Sequence, residues 1–225
     1  MRQIFPIAVL LLLSTTCFGQ KSIDKQLQIR ISPLSLIDPV TSVIQVGLQK
    51  QINKKLAASV DYGFKYLSFY DPYGRKNYQY SKSRVELKYF IKLKNKSSAA
   101  LVSPYLAVEG LYLPQKFRKE NEWIFKDQKS YKYEYSNINR QVWVYNLKFG
   151  KEYTIREKFI FDKYIGIGIR KLTITQNAFG EVESLYDEPV DMPSGSSIDW
   201  QDGIYYRPNF LLGFKVGYIL NRKEQ

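Results

Sequence analysis

The sequence predicts an all-β chain, an eight-stranded antiparallel up-and-down transmembrane β-barrel, on three observations. A two-residue alternation of apolar and polar side chains returns along most of the length. The connections between the alternating segments are short and long by turns. Glycine gathers on the polar side of those segments. Successive side chains of a strand point to opposite faces. Residues 84–93 show the pattern best: Val85, Leu87, Tyr89, Ile91 and Leu93 form one stripe, while Arg84, Glu86, Lys88 and Lys92 lie on the other. Segments of about ten residues written this way are the mark of a membrane-spanning barrel.

In chain order, residues 1–19 read as a cleaved signal peptide, with Arg2 as the positive region and Ile4 to Leu13 as the apolar one. That apolar run falls short of the about 20 residues a helix needs to span a bilayer. Cleavage before Gln20 would remove Cys17, the one cysteine, so the barrel domain over 20–225 is expected to fold without disulfides. The alternating segments then follow at 27–33, 42–51, 56–69, 84–93, 102–113, 142–153, 161–172 and 210–220. Short connections are expected at 53–55, 94–99 and 154–158, and long loops at about 70–80, 114–140 and 173–203. Short turns on one rim and long loops on the other is the asymmetry of outer-membrane barrels. The aromatic-basic run Lys129-Ser130-Tyr131-Lys132-Tyr133-Glu134-Tyr135 inside the second long loop reads as the outer extension of two strands, in preference to a site for sugar or lipopolysaccharide phosphate.

Alternation alone does not say which face is inside, and glycine decides it. Gly47, Gly63, Gly150, Gly166, Gly168, Gly213 and Gly217 share the polar face, where they would make room in a narrow eight-stranded bore. The bulky Trp143, Tyr145, Phe149, Phe210 and Phe214 share the apolar face, where lipid gives them space. The polar stripe then becomes a lumenal network of Arg30, Asp61, Lys65, Arg84, Glu86, Lys88, Glu109, Lys148, Glu152, Arg170 and Lys215. Charges in so narrow a bore must pair with one another. A structural plug is therefore expected in preference to an ion-conducting pore.

The alternation, the loop asymmetry and lumenal charges such as Arg84, Glu86, Lys88 and Lys148 resemble the small eight-stranded outer-membrane barrel proteins of Gram-negative bacteria, the outer membrane protein A and X group. The stretch Pro33-Leu34-Ser35-Leu36-Ile37-Asp38-Pro39, followed by Ile44-Gln45-Val46-Gly47-Leu48, is similar to uncharacterised exported barrel families. The resemblance implies an outer-membrane location and a monomer.

The chain has no histidine, which removes Ser-His-Asp triads, histidine acid–base work and histidine-ligated metals. No carboxylate pair stands apart from the lumenal charges, so neither catalysis nor a cofactor is expected. Asp187, Glu188 and Asp191 in the third long loop are a candidate for hard-cation binding. No EF-hand spacing supports it, solvated acid is the simpler reading, and no metal site is assigned. The formal charge of +13, which becomes +12 once Arg2 leaves with the signal, fits outer-membrane lipid and lipopolysaccharide as contacts. Nucleic acid is not an expected partner, and the long loops are the place for a protein one. The expected role is structural or surface-interactive: envelope integrity, adhesion or partner contact. The alternatives are an accessory barrel for secretion or envelope assembly, and a soluble periplasmic lipocalin-like binder of an apolar ligand.

Overall fold

Eight strands close into one ring. They are β1 (Leu27–Ile31), β2 (Val43–Gln51), β3 (Leu56–Lys65), β4 (Lys76–Phe90), β5 (Leu101–Glu120), β8 (Tyr135–Ile155), β9 (Phe159–Phe179) and β11 (Gly203–Ile219). Each pairs antiparallel with its neighbours in chain order, and β1 returns to β11 to shut the barrel. Three shorter strands, β6 (Trp123–Lys126), β7 (Lys129–Lys132) and β10 (Val182–Glu183), form a separate sheet above one rim. The structure is a computed structural model that describes residues 26–38, 40–66, 74–91, 101–126, 129–156, 158–183 and 201–220. The expected signal peptide, Lys92 and the acidic residues Asp187, Glu188 and Asp191 lie outside the described residues.

The outward face is apolar and open. Val60, Tyr62, Val85, Leu87, Leu147, Ile165, Ile167 and Ile169 are all exposed, with Ile167 at 60%. A belt of that extent does not belong in water. Closure of the ring leaves the backbone groups of the belt paired along the ladders, as lipid demands, except on the β1 side of β11 above residue 216. The apolar stripe thus faces outward, opposite to the arrangement of a soluble ligand-binding barrel. Toward the short-turn rim the outward face becomes basic, with Lys50, Lys151 and Lys163 exposed. The Lys163 ammonium lies 5.1 Å from the centre of the Tyr153 ring, an aromatic–cation pair suited to a headgroup layer.

The wall is uneven in height, and this corrects the expected loops. β5, β8 and β9 run 20, 21 and 21 residues, while β1, β2 and β3 run 5, 9 and 10. Much of the expected loop at 114–140 is therefore strand: β5 continues to Glu120, β6 and β7 form a hairpin, and β8 begins at Tyr135. The expected loop at 173–203 likewise starts as β9 to Phe179, and the one at 70–80 ends inside β4. The physical reason is a change of outer solvent. Above the belt the outward side chains of β5, β8 and β9 include Lys116, Asn137, Asn139, Gln141 and Thr175, all exposed. An apolar-out pattern stops there although the strand does not.

Turn chemistry closes the short rim. Asn53 Oδ1 accepts the backbone N–H of Lys55 and of Leu56, each at 2.8 Å, and fixes the β2–β3 turn. Beneath the upper hairpin, Asn121 and Gly180 take left-handed backbone angles, φ 55° and 67°, where β5 passes to β6 and β9 to β10.

Candidate functional site

The bore is filled from the short-turn rim upward by two tiers of buried charge. In the lower tier Arg30 reaches Glu152 at 2.7 Å and Asp162 at 3.0 Å. Lys88 reaches the same carboxylates at 3.2 and 2.5 Å. Tyr105 donates its hydroxyl to Asp162 at 2.6 Å, and Gln28 Oε1 accepts from Arg30 and from Gln49. In the upper tier Lys148 bridges Glu86 and Glu109 at 2.8 and 2.9 Å, and Lys215 bridges Asp61 and Glu86 at 2.7 and 2.9 Å. Arg84 completes it, 3.4 Å from Glu109 and 3.7 Å from Asp61.

Both tiers are balanced. Arg30 and Lys88 face Glu152 and Asp162; Arg84, Lys148 and Lys215 face Asp61, Glu86 and Glu109. Balance is what a dry interior requires, because an unpaired buried ion costs several kcal/mol. The ten members come from seven of the eight strands, β1, β3, β4, β5, β8, β9 and β11, so the pairing crosses the bore and ties the ring together. Glycine admits the two aromatic rings that pack among these ions. A Cβ on Gly150 would collide with the Tyr105 ring, and one on Gly213 with that of Tyr164. Those rings lie beneath two ammonium groups, Lys88 at 4.2 Å from the Tyr105 centroid and Lys148 at 3.7 Å from that of Tyr164.

Of the eleven expected lumenal residues, nine stand in these tiers: Arg30, Asp61, Arg84, Glu86, Lys88, Glu109, Lys148, Glu152 and Lys215. Lys65 and Arg170 do not. Lys65 has the inward parity, but it ends β3 at the tall rim and is exposed, donating to the Tyr78 carbonyl at 2.5 Å. Arg170 is also exposed and donates to Asn209 Oδ1 at 2.9 Å, above the tiers. Asp162 is the member that sequence reasoning missed. It shares the parity of Gly166 and Gly168, a signal masked by its charged neighbour Lys163, which points the other way.

Above the tiers the bore opens into a vestibule of about 570 Å³. Its floor includes Arg84, Glu109, Asn146 and Tyr164, and its wall is apolar: Leu111, Leu113, Val142, Val144 and Leu172. A second apolar cluster of Tyr78, Phe117, Ile138 and Ile174 lies toward the tall rim. Among the described residues, the lining holds seven Arg and Lys side chains against two carboxylates, Asp38 and Glu109.

One side of the vestibule is not strand. β1 ends at Ile31, so it pairs with β11 only over residues 216–219. Among the described residues, 203–215 of β11 pair with β9 alone. The space beside them is taken by residues 32–38 and 40–42, which begin with a 3-10 turn (Pro33–Ser35). This segment is tethered away from β11. Ser35 donates to Gln45 at 2.7 Å, Tyr80 to the Ser42 carbonyl at 2.7 Å, and Lys82 to Asp38 at 2.7 Å. Asp38 in turn accepts from the backbone of Val40 and Thr41 and from the Thr41 hydroxyl. Burial alone would raise the Asp38 carboxyl, but the Lys82 ammonium and the Thr41 donors hold it down at about 2.

Solved structures that resemble the chain include CarO and CarO2 of Acinetobacter baumannii. They are 14% and 12% identical to it, each with a TM-score of 0.38, over 89% of this chain and 99% of theirs. No protein-family model matches the chain, and no curated protein matches it in sequence.

Proposed function

We propose that the chain is a monomeric outer-membrane barrel whose role is structural and surface-interactive, with no catalysis. One observation carries this reading: balanced, buried ion tiers close the bore, while β5, β8 and β9 continue past the apolar belt and hold a second sheet outside it. An eight-stranded ring is only wide enough for its own side chains, and here the side chains fill it with ion pairs. Material built above the lipid, by contrast, has no part in spanning it. Trp123, Phe179 and Val182 are exposed on that upper material, with Val182 at 67%, and they suit contact with another surface.

The experiment is fractionation with heat-modifiable migration on a detergent gel, followed by replacement of residues 121–134 with a short turn. The expected result is recovery in the outer membrane and an unchanged heat shift in the variant. Surface contact, scored by adhesion or by detergent sensitivity of the cells, should be lost. Recovery of the wild-type chain in the soluble periplasm overturns the membrane assignment. Steady single-channel steps in a planar bilayer overturn the closed bore.

A further inference from the structure

The side of the vestibule that lacks a strand is also where the outer surface is most apolar. Phe210 and Leu212 on β11 are 79% and 76% exposed, the two largest values among the exposed large apolar side chains. They point outward beside the stretch that pairs with β9 alone. Leu36 and Ile37, on the segment that fills the gap, are exposed as well. Pro208 lies on the same free edge, a place where a missing N–H costs no ladder bond. An apolar groove of about 410 Å³ runs along the outer wall past Phe149, Phe161 and Ile165. It shares Leu34, Tyr164, Leu212, Gly213 and Phe214 with the lining of the vestibule, so groove and vestibule meet at the gap.

The backbone groups of a sheet edge within lipid have no water to turn to, so this edge depends on the segment in the gap and on the vestibule behind it for cover. Beyond Ser32, whose N–H donates to the Gln45 carbonyl at 3.2 Å, the described residues of the segment are held to β2 and β4 through side chains and pack toward β11, so the segment can swing about Ser32 without breaking a ladder. Behind it lies a chamber with an apolar wall and a basic rim, of a size within the about 300–1,000 Å³ of small-molecule sites. Apolar wall, basic rim and an entrance from the lipid side together describe one class of molecule.

We propose that the gap between residues 32–42 and β11 is a lateral doorway through which a single-chain anionic amphiphile enters the vestibule from the bilayer. Its chain lies against Leu111, Leu113, Val142 and Leu172. Its carboxylate or phosphate head lies among Lys82, Arg140 and Arg207. The bore below stays closed, so the amphiphile enters and leaves by the same side. This inference rests on the membrane assignment made above and adds to it a ligand class.

The test uses the full chain in vesicles of zwitterionic phospholipid, with a diazirine-bearing dodecanoate as the probe and a maltoside of equal chain length and label as the control. Photolysis and peptide mapping read where each probe lands. Labelling of the outward Tyr145 and Ile167 by both probes reports that the barrel is in the membrane. The doorway predicts labelling of Leu113, Val142 or Leu172 by the carboxylate, at least fivefold above the maltoside, and competition by unlabelled dodecyl phosphate. A Leu113→Trp, Val144→Trp variant that keeps its heat-modifiable migration should lose the inner labels and keep the outer ones. Outer labels without inner ones overturn the doorway and leave the membrane assignment standing. Cross-links joining two chains through β11 overturn it in favour of a second copy on the free edge. No labels on the belt overturn both.

Discussion

Two stretches of β8 differ in which face is dry. From Trp143 to Phe149 the outward side chains are Trp143, Tyr145, Leu147 and Phe149, all exposed, while Asn146 and Lys148 are buried inside. Nearer the tall rim Asn137, Asn139 and Gln141 are exposed outward, while Ile138 and Val142 are buried inward. Backbone, pairing and parity are the same in both, so the strand itself does not set which face is oily. Where lipid lies outside, the polar phase is the bore, and ion pairs hold it. Where water lies outside, the bore becomes an ordinary apolar core of Tyr78, Phe117, Ile138 and Ile174, held by the hydrophobic effect. The vestibule lies where one regime gives way to the other, which is why one chamber has both an apolar wall and a charged floor.

The difference can be broken most forcefully in the lower regime. Lys215 is 0% exposed and joins Asp61 to Glu86. Lys215→Met should leave two carboxylates facing one another in a dry site and cost about 3–5 kcal/mol, the usual penalty for breaking a buried pair on one side. Urea unfolding in detergent micelles, followed by tryptophan emission, measures it. Lys215→Met with Asp61→Asn restores the balance of the tier and should recover more than half of the loss. No recovery would mean that the ammonium serves packing and not charge.

A milder test sets the two regimes side by side. Leu147→Lys puts an ammonium into the lipid belt and should cost about 2–4 kcal/mol, as it does near the midplane of other barrels. Asn139→Lys, on the same face of the same strand but above the belt, should change stability by less than about 0.5 kcal/mol. Equal costs would erase the boundary drawn between them. Gly150→Ala probes the bore from within. Its Cβ meets the Tyr105 ring, so a loss of about 1–3 kcal/mol is expected from overpacking. Tyr105→Ala in the same chain should relieve that clash and make the pair non-additive.

The lower regime was legible in the sequence because parity and charge agree there. Arg84, Glu86 and Lys88 alternate with Val85, Leu87 and Tyr89, and the structure places the first three inward. The ring order, the eight segments and the glycine face follow from the same rule. Asp162 escaped because charge stands on both faces at Asp162-Lys163, one bound for the bore and one for the headgroup layer. The upper strands escaped for a deeper reason. Residues such as Gln115-Lys116-Phe117-Arg118 still alternate in space, but Lys116 and Arg118 face water, so no apolar-out stripe marks the strand. The doorway could not be read at all, since nothing in the run from Ser32 to Ser42 says that β1 stops five residues into its ladder. Register between the first and last strands is a property of the closed ring.

The smallest effect concerns the segment in that doorway. The Lys82–Asp38 pair is its one described ion-pair tether, and the carboxylate is partly open to solvent, so Asp38→Asn should lower global stability by no more than about 1 kcal/mol. The local effect should be larger than the global one. The folded carboxyl sits at about 2, below its ordinary value of 3.8. A depressed value contributes stability that is complete above the ordinary one and fades as pH falls toward the folded one. A fluorophore at Leu36→Cys should therefore show constant anisotropy from pH 5 to 8 and gain mobility only below about pH 4. In the Asp38→Asn background it should be mobile throughout, with no acid transition left to see. A probe that stayed ordered at every pH in the Asp38→Asn background would move the tether elsewhere, to Tyr80 on the Ser42 carbonyl or Ser35 on Gln45, neither of which titrates in that range.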